Sequence, residues 1–130
     1  MKSVDLSVEE LMFFHKHMDA LPIYEALKRG ILETCGDVRI QVKKTQISFY
    51  NRHMFAAASF LPVRKADRRP KPYLTVTFGL GYPASSDRVD GIVQPYPNRW
   101  THHVLVGQLE EVDSQLLGWL REAAAFSEAK

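Results

Sequence analysis

At Gly36 the apolar residues of this chain change their period from 3.6 to 2, and that switch constrains the fold more than any other feature. Before it, the pattern is helical. Ser7 is a good N-cap, and Glu10 three residues later completes a capping box. Val8, Leu11, Phe14 and Met18 follow at helical spacing, predicting a helix over 7–18. Pro22 begins a second helix in its first turn, where a missing N–H costs nothing. Ile23, Leu27 and Ile31 form its apolar stripe, with Ala26 and Gly30 beside them. Gly36 ends it in the left-handed conformation that glycine tolerates. The helical pair is thus placed at 7–36.

After the switch, Val38, Ile40 and Val42 alternate with Arg39, Gln41 and Lys43, as in a half-buried strand. The phase slips at Lys43–Lys44, because Ile47 and Phe49 carry the apolar parity beyond it. A one-residue slip would turn every side chain over, so a turn or bulge belongs there. Further strands are predicted over 45–50, 54–61, 73–80 and 99–106, with a hairpin turn at Asn51–His53. Residues 62–72 read as a long loop. So do 81–98, which hold Gly81, Pro83, Gly91, Pro95 and Pro97 and leave room for a short extended piece near Val93. The last helix is placed at 109–126, with Glu110, Glu111 and Asp113 suiting its positive end and Leu109, Val112, Leu116, Trp119, Leu120 and Ala123 on its buried stripe. No strand–helix–strand alternation occurs. The expected fold class is α+β: two layers, an antiparallel sheet of about five strands over 38–106, and the three helices on one face.

The chain's 130 residues suit a single domain over 1–130, large enough to fold without a disulfide or a metal. Its 45% hydrophobic and 25% charged content exclude a disordered or collagen-like chain. One cysteine, Cys35, fits a reducing compartment. It is expected to be a small buried hydrophobe at a helix C-terminus, where the dipole disfavours a thiolate. The opening residues carry acids rather than an apolar core, and no run of roughly 18 apolar residues exists. These points predict a cytoplasmic protein that does not enter a membrane.

Several stretches carry a family resemblance: Ile23–Leu27, Lys44–Phe49, Phe55-Ala56, and above all Arg99-Trp100-Thr101-His102-His103-Val104, followed by Val112 to Ala123. Together, over about residues 10–125, they resemble the bacterial domain-of-unknown-function family DUF5655. The resemblance implies a small stand-alone protein or a terminal domain, and it carries over no catalytic residue. The basic loop at 64–72 departs from the family's pattern.

That loop holds Arg64, Lys65, Arg68, Arg69 and Lys71 against a single acid, Asp67: a local charge of +4 in a chain whose total is +2. Such a loop can engage phosphates, although a solvated, mobile connector is the plainer reading. Strand parity sends Lys43, Gln46, Ser48, Tyr50, Tyr73, Thr75, Thr77, Thr101 and His103 to the face away from the helices. Tyrosines among cations suit stacked bases and backbone phosphates. The same face can floor a small-molecule pocket, or be only the Thr- and Tyr-rich surface that strand propensity favours. Leu105 shares this parity, and its exposure would point to a homodimer. His102 and His103 point to opposite faces and cannot share one metal ion; His15 and His17, about 200° apart on a helix, fail likewise. His102 is expected at the core edge, bonded to backbone or a helix side chain.

No catalytic, cofactor or metal motif is present. The favoured reading is a non-enzymatic binding module for an anionic partner, with nucleic acid its most specific form. Lys43, Lys44, Arg64, Lys65, Arg68, Arg69 and Lys71 would hold phosphates, and Tyr50 and Tyr73 would stack. The alternatives are a small-molecule binder or enzyme with a pocket around His103, Lys44 and Tyr24, and a self-associating accessory domain.

Overall fold

The computed structural model describes residues 5–129; the outermost residues of the expected domain, 1–4 and 130, and the leader reading that rests partly on them, lie outside the described residues. Among the described residues, three α-helices, α1 (Val8–Phe13), α2 (Leu21–Thr34) and α3 (Ser114–Glu128), accompany six strands: β1 (Arg39–Val42), β2 (Gln46–Tyr50), β3 (Met54–Ser59), β4 (Leu74–Leu80), β5 (Val89–Tyr96) and β6 (Arg99–Val106). The architecture is α+β, with all neighbours in one antiparallel sheet of order β1-β2-β3-β4-β6-β5.

The capping box forms as read: Glu10 N donates to Ser7 Oγ at 3.1 Å and Ser7 N to Glu10 Oε1 at 2.8 Å. The helix, however, stops at Phe13 and the chain turns through Phe14–His17 into a 3-10 turn at Met18–Ala20. The expected stripe does not exist. Val8, Leu11 and Met18 are exposed, and of that set only Phe14 enters the core. What anchors α1 is its one buried residue, Glu10, which is 2% exposed. Glu10 accepts from Tyr24 Oη and, at 2.8 Å, from Lys28 Nζ, both on α2. Burial alone would raise its carboxyl, but hydrogen bonds from Lys28, the Ser7 backbone and Tyr24 hold it below the ordinary value.

In α2 the apolar stripe is buried as expected, Pro22 lies in the first turn, and Gly36 follows the helix at φ +76°. Cys35 is half-buried at the helix C-cap, and burial pushes its thiol up. The α3 helix starts at Ser114 rather than 109, because Asp113 caps it (Leu116 N to Oδ1, 3.0 Å) and residues 109–111 form a separate 3-10 turn, which leaves Leu109 exposed instead of on the buried stripe. Its C-terminal half is stitched to the β2–β3 turn. Asn51 Nδ2 donates to Ala124 O at 2.8 Å, and Ser127 Oγ bonds both backbone groups of His53.

The phase slip at Lys43–Lys44 is a turn between β1 and β2, closed by Lys43 N to Gln46 O at 2.8 Å. Ile47, Ala58, Val76 and Val104 lie opposite one another across four strands on the face that α2 and α3 cover. His102 lies on that face, fully buried and stacked on Phe78, and its Nε2 accepts from Ala84 N at 2.9 Å.

The sixth strand, β5, falls inside the region read as loop 81–98. Gly91 and Pro95 hide it, yet both are tolerated because β5 is an edge strand whose register shifts twice. The opposite face of the sheet differs more from expectation. Residues 60–72 cross it as a docked strap: Thr75 Oγ1 donates to Leu61 O (2.7 Å), Tyr73 Oη to Phe60 O (2.8 Å), and Arg64 forks onto Asp90. The strap is therefore docked on the sheet through Phe60, Leu61 and Arg64, while Lys65, Arg68 and Lys71 stay exposed. Ser48 and Thr75 are fully buried, and Leu105 is only 2% exposed. Leu105 is thus covered within one chain, and the exposure expected of it is not found.

Candidate functional site

The strap leaves part of the outer sheet face open, and there lies a cavity of about 680 Å³. Its floor comes from four strands: Gln46 of β2 beside Ser59 of β3, and Thr77 of β4 opposite His103 of β6. Alternation along each strand aims these side chains away from the helices. Phe13 and Phe60 form an apolar wall, their rings stacked at 5.6 Å and 16°. The turn after α1 brings in His15, Lys16 and His17, and the β1–β2 turn brings Lys44. The His17 ring stacks on Phe60 at 4.1 Å. Met12 and Leu61, both exposed, complete the apolar rim.

Charge in the cavity is one-sided. Two lysines and three histidines line it, and none of the described lining residues has a carboxylate. The ion pairs among the described residues, Lys28–Glu10, Arg64–Asp90 and Arg88–Asp113, all lie elsewhere. His103 is half-buried, and burial pushes its pKa below the ordinary 6.5. Its Nδ1 shares a 2.9 Å hydrogen bond with Thr77 Oγ1, while Nε2 has no hydrogen-bond partner among the described residues. The site therefore offers a neutral imidazole, hydroxyl and amide groups, flat apolar walls and unpaired ammonium groups. This set is suited to holding an acidic molecule with an apolar body.

The predicted site residues fall into separate groups. Lys44 and His103 line this one cavity. Tyr24 does not. It is fully buried on the helical side, where burial and its bond to Glu10 push its hydroxyl far above the ordinary value. Lys43 donates to Tyr50 Oη at 2.7 Å, and both Lys43 and Arg39 lie over the Tyr50 ring. On the strap, Arg64 is committed to Asp90 at 2.6 Å, and that carboxylate holds its guanidinium charged more firmly. Arg69 lies over the Tyr73 ring, whose hydroxyl is bonded to Phe60 O. Lys65, Arg68 and Lys71 are exposed.

Sequence reasoning missed Phe13, Ser59, Phe60 and the turn holding His15 and His17 as parts of the site. The helical-wheel argument that separated the two histidines lapses because the helix ends before them, and they line the same cavity. Among the described residues no cluster of three or more His, Cys, Asp or Glu side chains is placed to hold a metal ion. No described helix is long and apolar enough to cross a membrane.

Comparison with curated proteins and with solved structures finds no match. The model of a family described as a domain of unknown function, DUF5655, matches residues 10–127 of the 130. That span takes in all six strands, the α2 and α3 core and every residue lining the cavity, and the chain belongs to the DUF5655 family.

Proposed function

We propose that this protein is a binding module for a small molecule with an acidic group, held in the cavity on the outer sheet face. The observation that carries the reading is the shared lining of Lys44 and His103, with apolar rings beside them and no carboxylate among the described residues. An acidic group gains from the unpaired ammonium groups, and an apolar body covers Met12, Phe13, Phe60 and Leu61. The test is amide chemical-shift mapping with naphthalene-2-carboxylate. Saturable shifts centred on residues 44–46, 59–61, 77 and 103 are expected. Shifts scattered elsewhere, or none at millimolar probe, overturn the reading.

A second reading, an extended anionic partner such as nucleic acid, draws on exposed Lys65, Arg68 and Lys71 and on Tyr50 beside Arg39 and Lys43. Changing Lys65, Arg68 and Lys71 to serine separates the two. The cavity reading expects naphthoate binding unchanged and no salt-sensitive affinity for DNA or RNA in either protein. Salt-sensitive nucleic-acid binding by the wild type that the variant loses favours the second.

A further inference from the structure

Of the cavity's three histidines, one belongs to the sheet itself. His103 stands on the floor with Nδ1 fixed by Thr77 at 2.9 Å, and its other ring nitrogen makes no hydrogen bond among the described residues. Charges reach the cavity from two turns. From the turn after α1 come His15, Lys16 and His17, and from the β1–β2 turn comes Lys44. Thr77 of β4 and Gly91 of β5 lie beside it and are uncharged. Its neighbour His102 points to the opposite face and donates no negative charge. Asp90, next to Gly91, is committed to Arg64 and to the Leu105 N–H at 3.0 Å. The cationic side chains of the lining therefore oppose an imidazolium, and partial burial pushes the ring's pKa below the ordinary 6.5.

Resting on the reading of the cavity as a small-molecule site, we infer that its ligand is a flat aromatic molecule carrying one oxyanion, and that His103 takes up a proton as the oxyanion binds. The flatness comes from the wall, where Phe13 and His17 both stack on Phe60, so that a further planar ring extends an existing stack. The proton comes from bulk water. An oxyanion over Nε2 supplies the negative charge that the described lining residues lack, and His103, charged, donates a charge-assisted hydrogen bond to it. By linkage, affinity then rises as pH falls through neutrality, approaching about tenfold per pH unit where uptake is complete. Carboxylate and phosphate monoester share this chemistry.

Titration calorimetry of naphthalene-2-carboxylate in Bis-Tris and in Tris at one pH near neutrality tests the inference. The dependence of the heat on the buffer gives the protons taken up, because the probe itself does not titrate there. Uptake of about one proton is expected for the wild type, together with at least tenfold weaker binding of the neutral naphthalene-2-carboxamide. In His103→Gln the uptake is expected to vanish, while Lys44→Gln weakens binding but keeps it. A parallel titration with 2-naphthyl phosphate shows which oxyanion the site prefers. Binding with no proton uptake, or uptake that survives in His103→Gln and disappears in His17→Gln, overturns the inference and leaves the small-molecule reading standing. Failure of all three naphthalene probes to bind overturns both.

Discussion

A carboxylate that is 2% exposed has to be fully compensated, and Glu10 is. Its oxygens receive the Ser7 N–H, the Lys28 ammonium and the Tyr24 hydroxyl, and Lys28 in turn donates to Asp5 O at 2.7 Å. Removing one partner leaves the other buried and unanswered. Glu10→Gln is therefore expected to cost about 3 kcal/mol in urea unfolding, and Lys28→Met a similar amount. The double variant should cost clearly less than the sum, because it removes both charges together. Additive losses would show that the pair is not coupled. Half of this arrangement was legible in the sequence. Ser7 and Glu10 stand at capping-box spacing, and the box forms. The other half was not, because nothing local distinguishes a carboxylate that also reaches across to a second helix from one that points to water. The exposed Val8, Leu11 and Met18 made the same point in reverse: their spacing matched a buried stripe that the helix does not have.

Among the elements, the strap is held by close fit as much as by hydrogen bonds. A Cβ placed on Gly107 would stand 2.5 Å from Cγ of Pro70, a rigid ring that cannot swing aside. Gly107→Ala is expected to lower stability by about 1–3 kcal/mol and to shift the amide resonances of residues 64–72. Adding Pro70→Gly should recover the strap's resonances if steric conflict is the cause. Near the same end of the sheet, Asp113 caps α3 and also accepts from Arg88 at 2.8 Å. Burial would raise its carboxyl, but the Leu116 N–H and Arg88 hold it below the ordinary value. Asp113→Ala should cost about 1 kcal/mol by thermal or urea unfolding, and Asp113→Asn, which keeps a cap acceptor, less. Strand β6 was read to the residue, because Arg99–Val106 alternates cleanly and contains no breaker. Its partner β5 was lost to Gly91 and Pro95, residues that argue against a central strand and carry little weight at an edge. Strand order was not legible, since the residues between β4 and β5 fix neither which edge the chain returns to nor which of the last two strands lies inside.

For the whole molecule, two adjacent histidines on opposite faces give a common response to acid. Burial lowers both His102 and His103 below 6.5, so folding opposes their protonation. Below about pH 6.5 the unfolded chain therefore binds more protons than the folded one. Stability is expected to fall as pH drops from there and to level once the folded rings protonate; Glu10, held below its ordinary 4.5, adds a further loss at lower pH. Melting temperatures across pH 7.5 to 5 check this, and His103→Gln should flatten part of the slope. The α+β class was readable because period and order are properties of the whole chain. The cavity was readable at His103 and Lys44, whose strand parity and charge stand out locally, and at Gln46 and Thr77, which share the outward face. Phe60 lies just past a strand end, and the turn at 14–17 sits where a helix was expected, so neither carried a local mark.

The lining of the cavity is gathered from residues 12–17, 44–46, 59–61, 77 and 103, segments spread over most of the chain. No single hairpin or helix contains a binding-competent fragment, so the site exists only in molecules whose sheet is already complete. Occupancy therefore acts on the global opening reaction. A bound molecule should slow hydrogen exchange most at the slowest amides in the core strands, by the factor that mass action sets, and should leave the exchange of frayed ends untouched.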